Sequence, residues 1–102
     1  MAAKKVAVVA DPYTVYALRL LGVVGLPASD PREAAQRLRD VAVREDIGLV
    51  LLSSEYYDDV EEEVRRVTQE RPDLIVARLP TVREPGQPMN VQKELLKALG
   101  MG

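Results

Sequence analysis

The sequence predicts an α/β fold, a doubly wound and mostly parallel sheet of four strands. Runs of consecutive apolar residues, rich in Val, Ile and Leu, are typical of strands that are covered on both faces of a parallel sheet. These runs alternate with segments whose apolar residues recur at helical spacing. The resulting β-α-β-α-β-α-β order favours right-handed crossovers between parallel strands.

The first strand is predicted over residues 6–10, and Asp11-Pro12 then marks a helix start. Asp caps free backbone N–H groups at the start of a helix. Pro suits the first helical position because the backbone N–H that it lacks would have no hydrogen-bond partner there. The helix that follows, residues 13–21, is apolar around most of its circumference, and we expect it to be well buried. Gly22 is expected to end it.

A short second strand is predicted within residues 23–29, where Gly25 and Pro27 suit an edge position. Asp30-Pro31 repeats the helix start and carries an acidic residue three positions later, as in a capping box. The second helix is amphipathic. Its apolar stripe consists of Ala34, Ala35, Leu38, Val41 and Ala42.

Residues 47–52 are the strongest predicted strand, with an inner position in the sheet. Ser53-Ser54-Glu55 then offers a cap for one helix running to about Glu70. Acidic residues fill its first turns, residues 58–63, and suit the positive end of the helix dipole. We interpret this acidic run as a solvated helix start rather than a cation or partner site. The last strand is predicted over residues 74–79.

The predicted organisation is a sheet domain over residues 1–80, a linker over residues 81–89 and an amphipathic helix over residues 90–102, forming one structural domain overall. The linker contains Pro and Gly and has no periodicity. The terminal helix carries a narrow stripe of Val91, Leu95 and Leu99, which can dock on the chain's own sheet or on a partner helix.

Composition excludes several chemistries. The 102 residues include no His and no Cys, which excludes Ser-His and Cys-His nucleophiles, disulfides and the usual zinc sites. A net charge of −2 gives no basic surface for nucleic acid. The apolar run near the N-terminus is too short for a signal peptide or a membrane span, and we expect a soluble, intracellular protein.

Ligands of such flavodoxin- or receiver-like sheets bind at the carboxyl ends of the strands, where Asp11 and Ser53 lie. Asp11 could help to hold magnesium, as in receiver domains, or act only as a helix cap, which we favour. The third strand ends in Ser53 and Ser54, where a receiver would carry an Asp. No glycine-rich phosphate loop follows the first strand. We therefore expect no catalytic, cofactor-binding or metal-binding residues.

All four tyrosines lie in or just after the turns that follow the first and third predicted strands. Because these strands are neighbours in this type of sheet, the rings could form one aromatic rim for protein contacts. The alternative is that each ring packs partly against its own helix. The four residues are Tyr13, Tyr16, Tyr56 and Tyr57.

Nearly the whole chain resembles the F subunits of the archaeal and bacterial V/A-type rotary ATPases. The resemblance rests on an ordered set of segments, most specifically the helix start at 11–14 paired with RLLGV at 19–23. The segments are KKVAVVADPYTVYALRLLGVVGL, DPREAAQRL, EDIGLVLLSSEYYDDVEEEV and PDLIVARLP, followed by a Pro/Gly linker and a terminal helix.

This resemblance implies a non-catalytic rotor component of the central stalk. Such a protein would bind the coiled coil of the ATPase's D subunit and help to transmit torque between ATP hydrolysis or synthesis and proton or sodium transport. It would lie in the cytoplasm, touching the membrane only through the complex. The expected partner contacts are Val91, Leu95 and Leu99, then Tyr13, Tyr16, Tyr56 and Tyr57. The alternative is a stand-alone receiver-like or small-ligand-binding domain that uses the rim at Asp11 and Ser53.

Overall fold

The sheet of the computed structural model, which describes residues 4–80 and Gly100, has four strands that all run parallel. Their order is β2-β1-β3-β4, so that β1 and β3 are inner strands and β2 and β4 are edges. The predicted fold class and the predicted edge position of the second strand are thereby confirmed. The strands are β1 (Lys5–Ala10), β2 (Val24–Pro27), β3 (Ile47–Ser53) and β4 (Ile75–Leu79).

Helices lie on both faces of the sheet. On one face, α1 packs against β1 and β2, and on the other face α2 and α4 pack together over the sheet. No helix within residues 4–80 is long and apolar enough to cross a membrane. The helices are α1 (Pro12–Arg19), α2 (Pro31–Ala42), the short α3 (Ser54–Tyr57) and α4 (Glu61–Glu70), with a 3-10 turn over Asp58–Val60 between the last two.

The predicted helix caps are confirmed. The Asp30 carboxylate accepts a hydrogen bond from the Glu33 N–H at 2.8 Å, and the Glu33 carboxylate accepts one from the Ser29 N–H at 3.0 Å. The Ser53 hydroxyl oxygen accepts a bond from the Glu55 N–H at 3.2 Å. The helix α1 ends at Arg19, two residues before its predicted end at residue 21, and Gly22, with a left-handed φ of 84°, lies in the turn that follows it.

The single helix predicted to run from Ser54 to about Glu70 is wrong, because the chain breaks it with the 3-10 turn Asp58–Val60. Asp has a low helix propensity, and two Asp residues stand in this turn. Asp58 is also held from outside the helix, since its carboxylate accepts a hydrogen bond from Arg78 of β4 at 3.0 Å.

The expected burial of the first helix is also wrong. Only Val15 and Leu18 of α1 are buried, on the side that packs against the sheet. A helix on a two-faced sheet has one side toward the core, and no other described element covers the outer side of α1. Its apolar outer side is therefore exposed.

Close packing of α1 on the sheet depends on Gly25 of β2. A Cβ atom at this position would lie 2.6 Å from the Val15 Cγ1 atom and 2.5 Å from Arg19 Nε. Both distances are shorter than a normal carbon contact, so a side chain here would push α1 away from β2. The glycine sets the separation between helix and sheet.

The proposed domain boundaries at residues 81–89 and 90–102 stay predictions. Apart from Gly100, which has a φ of 76°, these segments lie outside the described residues.

Arg71, just after α4, joins three segments at the amino end of the sheet. Its guanidinium donates hydrogen bonds to the carbonyl oxygens of Val41 at 3.3 Å, Arg44 at 2.7 Å and Ile47 at 2.9 Å. It also pairs with Asp73 at 2.8 Å and holds the pKa of that carboxyl below its usual value. One partly buried cation thus ties the ends of α2 and α4 to the start of β3.

We predict that Arg71→Met lowers the free energy of unfolding by about 3 kcal/mol, because charge-assisted hydrogen bonds to three carbonyl groups are lost. Arg65→Met, at an exposed position of α4, is the matched control and should change the free energy by less than about 0.5 kcal/mol. Urea unfolding followed by circular dichroism measures both. Equal midpoints for the two variants would contradict this role of Arg71.

Candidate protein-binding surface

The polar residues at the carboxyl ends of β1 and β3 are engaged in capping. Asp11 is 6% exposed, and its carboxylate accepts hydrogen bonds from the Thr14 N–H at 3.2 Å and the Thr14 hydroxyl at 2.6 Å. Ser53 is 3% exposed and caps α3. Both candidate ligand residues, Asp11 and Ser53, therefore act as helix caps.

The acidic run contributes one buried carboxylate. Glu63 is buried between α2 and α4, with Arg39 Nη1 at 3.4 Å from one carboxylate oxygen and Arg66 Nη1 at 3.5 Å from the other. An open groove of about 480 Å³ runs past it, between the start of α2 and the 3-10 turn. Among the described residues, no group of three His, Cys, Asp or Glu side chains could hold a metal ion.

The four tyrosines do not form one rim. Tyr56 is buried in the core on the α2 and α4 side of the sheet, and its hydroxyl donates a hydrogen bond to the Ala28 carbonyl oxygen at 3.0 Å. Tyr57 is half-buried beneath Arg78, whose guanidinium carbon lies 4.3 Å from the ring centroid. The structure brings together only Tyr13 and Tyr16, which share α1 on the other side of the sheet.

The outer side of α1 is a continuous apolar surface. With 100° per residue, Tyr13, Tyr16 and Leu20 fall on one side of the helix, opposite the buried Val15 and Leu18. Ala17 and Leu21, the latter in the turn after the helix, flank them on one side, and both are exposed. We call this surface the α1 face and define it by Tyr13, Tyr16, Ala17, Leu20 and Leu21.

The exposure of these side chains is unusually high for large apolar residues. The exposed fraction is 85% for Tyr13, 66% for Tyr16, 87% for Leu20 and 45% for Leu21. Val43 at 83% and Ile75 at 63% are also exposed, but they lie on other elements. A group of adjacent exposed apolar side chains marks an interaction surface, whereas an isolated one needs no explanation.

The side chain of Arg19 lies beside the α1 face. The Arg19 guanidinium carbon lies 5.6 Å from the centroid of the Tyr16 ring, within the range of a cation–π contact. Its Nη2 atom also donates a long hydrogen bond of 3.4 Å to the Gly25 carbonyl oxygen. The α1 face thus combines apolar side chains with two aromatic rings, and a positive charge lies next to it.

Leu20 and Leu21 were not among the residues that the sequence singled out for contacts. The available signal was that α1 is apolar on both sides, which also fits a buried helix. Whether the outer side of α1 is buried or exposed depends on how many layers cover the sheet. Sequence periodicity does not give that number.

The fold is thus a doubly wound α/β domain whose described residues offer an apolar surface of the kind used in protein contacts. A family model for the ATP synthase F/14-kDa subunit matches residues 6–97. The chain belongs to this family, which comprises the F subunits of the V-type ATPases, and the resemblance seen in the sequence is confirmed.

A solved structure shares the fold. It is that of the F subunit of the V-type ATP synthase from Archaeoglobus fulgidus, which is 23% identical in sequence and superposes with a TM-score of 0.60. The match covers 74% of this chain and 96% of the archaeal chain. No curated protein matches the chain in a sequence search.

We predict that Asp11→Ala lowers the free energy of unfolding by about 1 kcal/mol, because α1 loses its cap. Asp11→Asn is the matched control and should retain most of the stability, since Asn caps helices as well as Asp does. Millimolar magnesium chloride should leave the Tm of the wild-type protein unchanged. A magnesium-dependent rise in Tm that disappears in Asp11→Asn would show instead that Asp11 is a cation ligand.

Proposed function

We propose that this protein is a non-catalytic component of the central stalk of a V/A-type ATPase, that it binds the coiled coil of the D subunit, and that it helps to transmit torque. Membership of the family of F subunits supports its place in such a complex. The observation that carries the proposed binding to the D subunit is the α1 face. Its large apolar side chains are exposed, and no other described residues cover them.

The α1 face suits a helical partner. Apolar side chains at positions i, i+3 and i+7 form a ridge that packs into the groove of a second helix. Burial of a Leu or Tyr side chain that is otherwise exposed contributes about 2 kcal/mol. Tyr13, Tyr16 and Leu20 together therefore offer enough apolar surface for the central part of a stable interface.

Arg19 adds a requirement on the partner. Its guanidinium lies beside the apolar ridge and is exposed, so that a carboxylate on the partner helix can pair with it. Such a charge at the edge of an apolar contact affects the register and the rate of association more than the affinity. The proposed partner helix thus has an apolar seam flanked by an acidic residue.

Torque transmission needs a body that moves as a unit. On the side facing away from the partner, α1 is anchored by Val15 and Leu18, which are fully buried against the sheet, and by its Asp11 cap. A lateral force on the α1 face therefore passes directly into β1 and β2. In the proposed role the domain needs no active site of its own and lies on the cytoplasmic side, peripheral to the membrane.

The terminal stripe of Val91, Leu95 and Leu99, for which the sequence predicts partner contacts, lies outside the described residues. Tyr56 is buried and Tyr57 is covered by Arg78, so that neither joins the proposed interface on α1. The interface proposed here consists of the α1 face alone.

We predict that Leu20→Ser weakens binding of the coiled coil of the D subunit from the same genome by roughly tenfold, because one exposed apolar side chain of the ridge is removed. Val43→Ser is the matched control, since Val43 is equally exposed but lies at the end of α2 on the other face of the sheet. Isothermal titration calorimetry with purified proteins measures both affinities.

Two results would contradict the proposal. Equal affinities of the two variants would show that the α1 face is not the interface. Failure of the folded wild-type protein to bind the coiled coil at all would contradict the central-stalk role itself.

A further inference from the structure

The α1 face is complementary to itself in charge. None of its five side chains is charged, so two copies of the α1 face can meet without bringing like charges together. In the described part of the chain, α1 is also the one helix on its side of the sheet. No described helix beside α1 therefore hinders the approach of a second copy.

The α1 face is also uneven in shape. Leu20, the residue after the helix, keeps helical backbone angles with φ −62° and ψ −18°, so that helical geometry places all four residues from Tyr13 to Leu20. Tyr13 and Leu20 lie close to the middle line of the α1 face, about 10 Å apart along the helix axis. Between these two, Tyr16 lies on one side of the line and Ala17 on the other. A bulky ring thus stands next to a shallow place at the centre of the α1 face.

A two-fold axis between Tyr16 and Ala17 makes use of this shape. It places the second copy of α1 antiparallel to the first, in a contact that uses the same residues of both copies. The Tyr16 ring of each copy then lies over Ala17 of the other, and Tyr13 of each copy meets Leu20 of the other. Large side chains interdigitate with small ones in this way wherever two helices pack closely.

The arginine beside the α1 face does not oppose this arrangement. The Arg19 guanidinium lies next to the Tyr16 ring of its own chain, on the same side of the middle line. The two-fold axis therefore puts the two guanidinium groups on opposite sides of the helix pair. Both remain at the rim, where water screens their repulsion.

The area of the α1 face limits the strength of such a contact. Full burial removes about 200 Å² of a Tyr side chain and about 100 Å² of a Leu side chain from water. With the exposed fractions given above, the α1 face offers about 400 Å² in each copy. A pair of copies buries about 800 Å², which is less than the roughly 1,200 Å² of stable interfaces and typical of weak, reversible ones.

We infer that the free protein forms a weak, reversible dimer through the α1 face, in which the two α1 helices are antiparallel and Tyr16 of each copy packs on Ala17 of the other. The expected dissociation constant is on the order of 100 µM. The inference does not rest on the proposed coiled-coil partner. Both contacts use the α1 face, so that a bound coiled coil excludes the second copy.

Sedimentation equilibrium of the full-length protein tests the dimer. Leu20→Ser should raise its dissociation constant at least about tenfold, because both copies lose the side chain that meets Tyr13. Val43→Ser is the matched control and should leave the constant unchanged, since Val43 is equally exposed on the other face of the sheet. A wild-type protein that stays monomeric up to about 1 mM, or equal constants for the two variants, would overturn the inference.

The packing of Tyr16 on Ala17 is tested by Ala17→Leu. Ala17 is exposed and Leu is a good helix former, so that the variant should fold normally, which circular dichroism verifies. In the inferred dimer the added side chain occupies the place of the Tyr16 ring, and the dissociation constant should rise about tenfold. Non-specific association would instead become tighter, because the variant exposes more apolar surface. A tighter dimer of Ala17→Leu would overturn the inference.

Titration with the coiled coil separates this inference from the proposed function. A wild-type protein that binds the coiled coil but stays monomeric without it would overturn the dimer and leave the central-stalk role standing. A dimer that is weakened by Leu20→Ser, in a protein that does not bind the coiled coil, would contradict the central-stalk role and support the dimer. Dissociation of the dimer by the coiled coil supports both.

Discussion

The structure depends on one constraint, which is that a parallel sheet with apolar residues on both sides must be covered on both faces. In β1, the consecutive residues Ala7, Val8, Val9 and Ala10 are all completely buried, although they point alternately to opposite faces. Among the described helices, α2 and α4 lie on one face and α1 alone on the other. The exposure of Ile75 on β4 follows from this difference.

The outer side of α1 is exposed for a different reason, since it faces away from the sheet. Val15 and Leu18 are buried against the sheet, and Gly25 of β2 allows α1 to approach the sheet closely. The further apolar side chains Tyr13, Tyr16 and Leu20 contribute nothing to this packing. Their exposure reduces solubility without stabilising the isolated domain, and the partner proposed above would account for them. Membership of the family of F subunits gives the chain a place in a V-type ATPase complex.

Much of the fold follows from local chemistry and could be predicted. The caps at Asp11, Asp30 and Ser53 depend on residues within four positions, and the edge position of β2 follows from its Gly and Pro residues. Features set by distant contacts could not be predicted. The break near Asp58 involves Arg78, which is 20 positions away. Tyr56 and Tyr57 are neighbours with different environments, because only Tyr56 reaches the Ala28 carbonyl oxygen.

The candidate surface shows the same limit. Its two tyrosines were recognisable because aromatic residues in turns are typical of contacts, whereas Leu20 was indistinguishable from a core residue. The apolar circumference of α1 predicts that both sides of the helix are covered. It does not tell whether the second cover belongs to the same chain or to another one.

The most direct measurement is hydroxyl-radical footprinting of the protein alone and in complex with the coiled coil of the D subunit, read out by mass spectrometry at individual side chains. If the α1 face is the interface, oxidation of Tyr13, Tyr16 and Leu20 falls sharply in the complex, while oxidation of the equally exposed Val43 stays the same. Unchanged oxidation of these three residues in a stable complex would contradict the account.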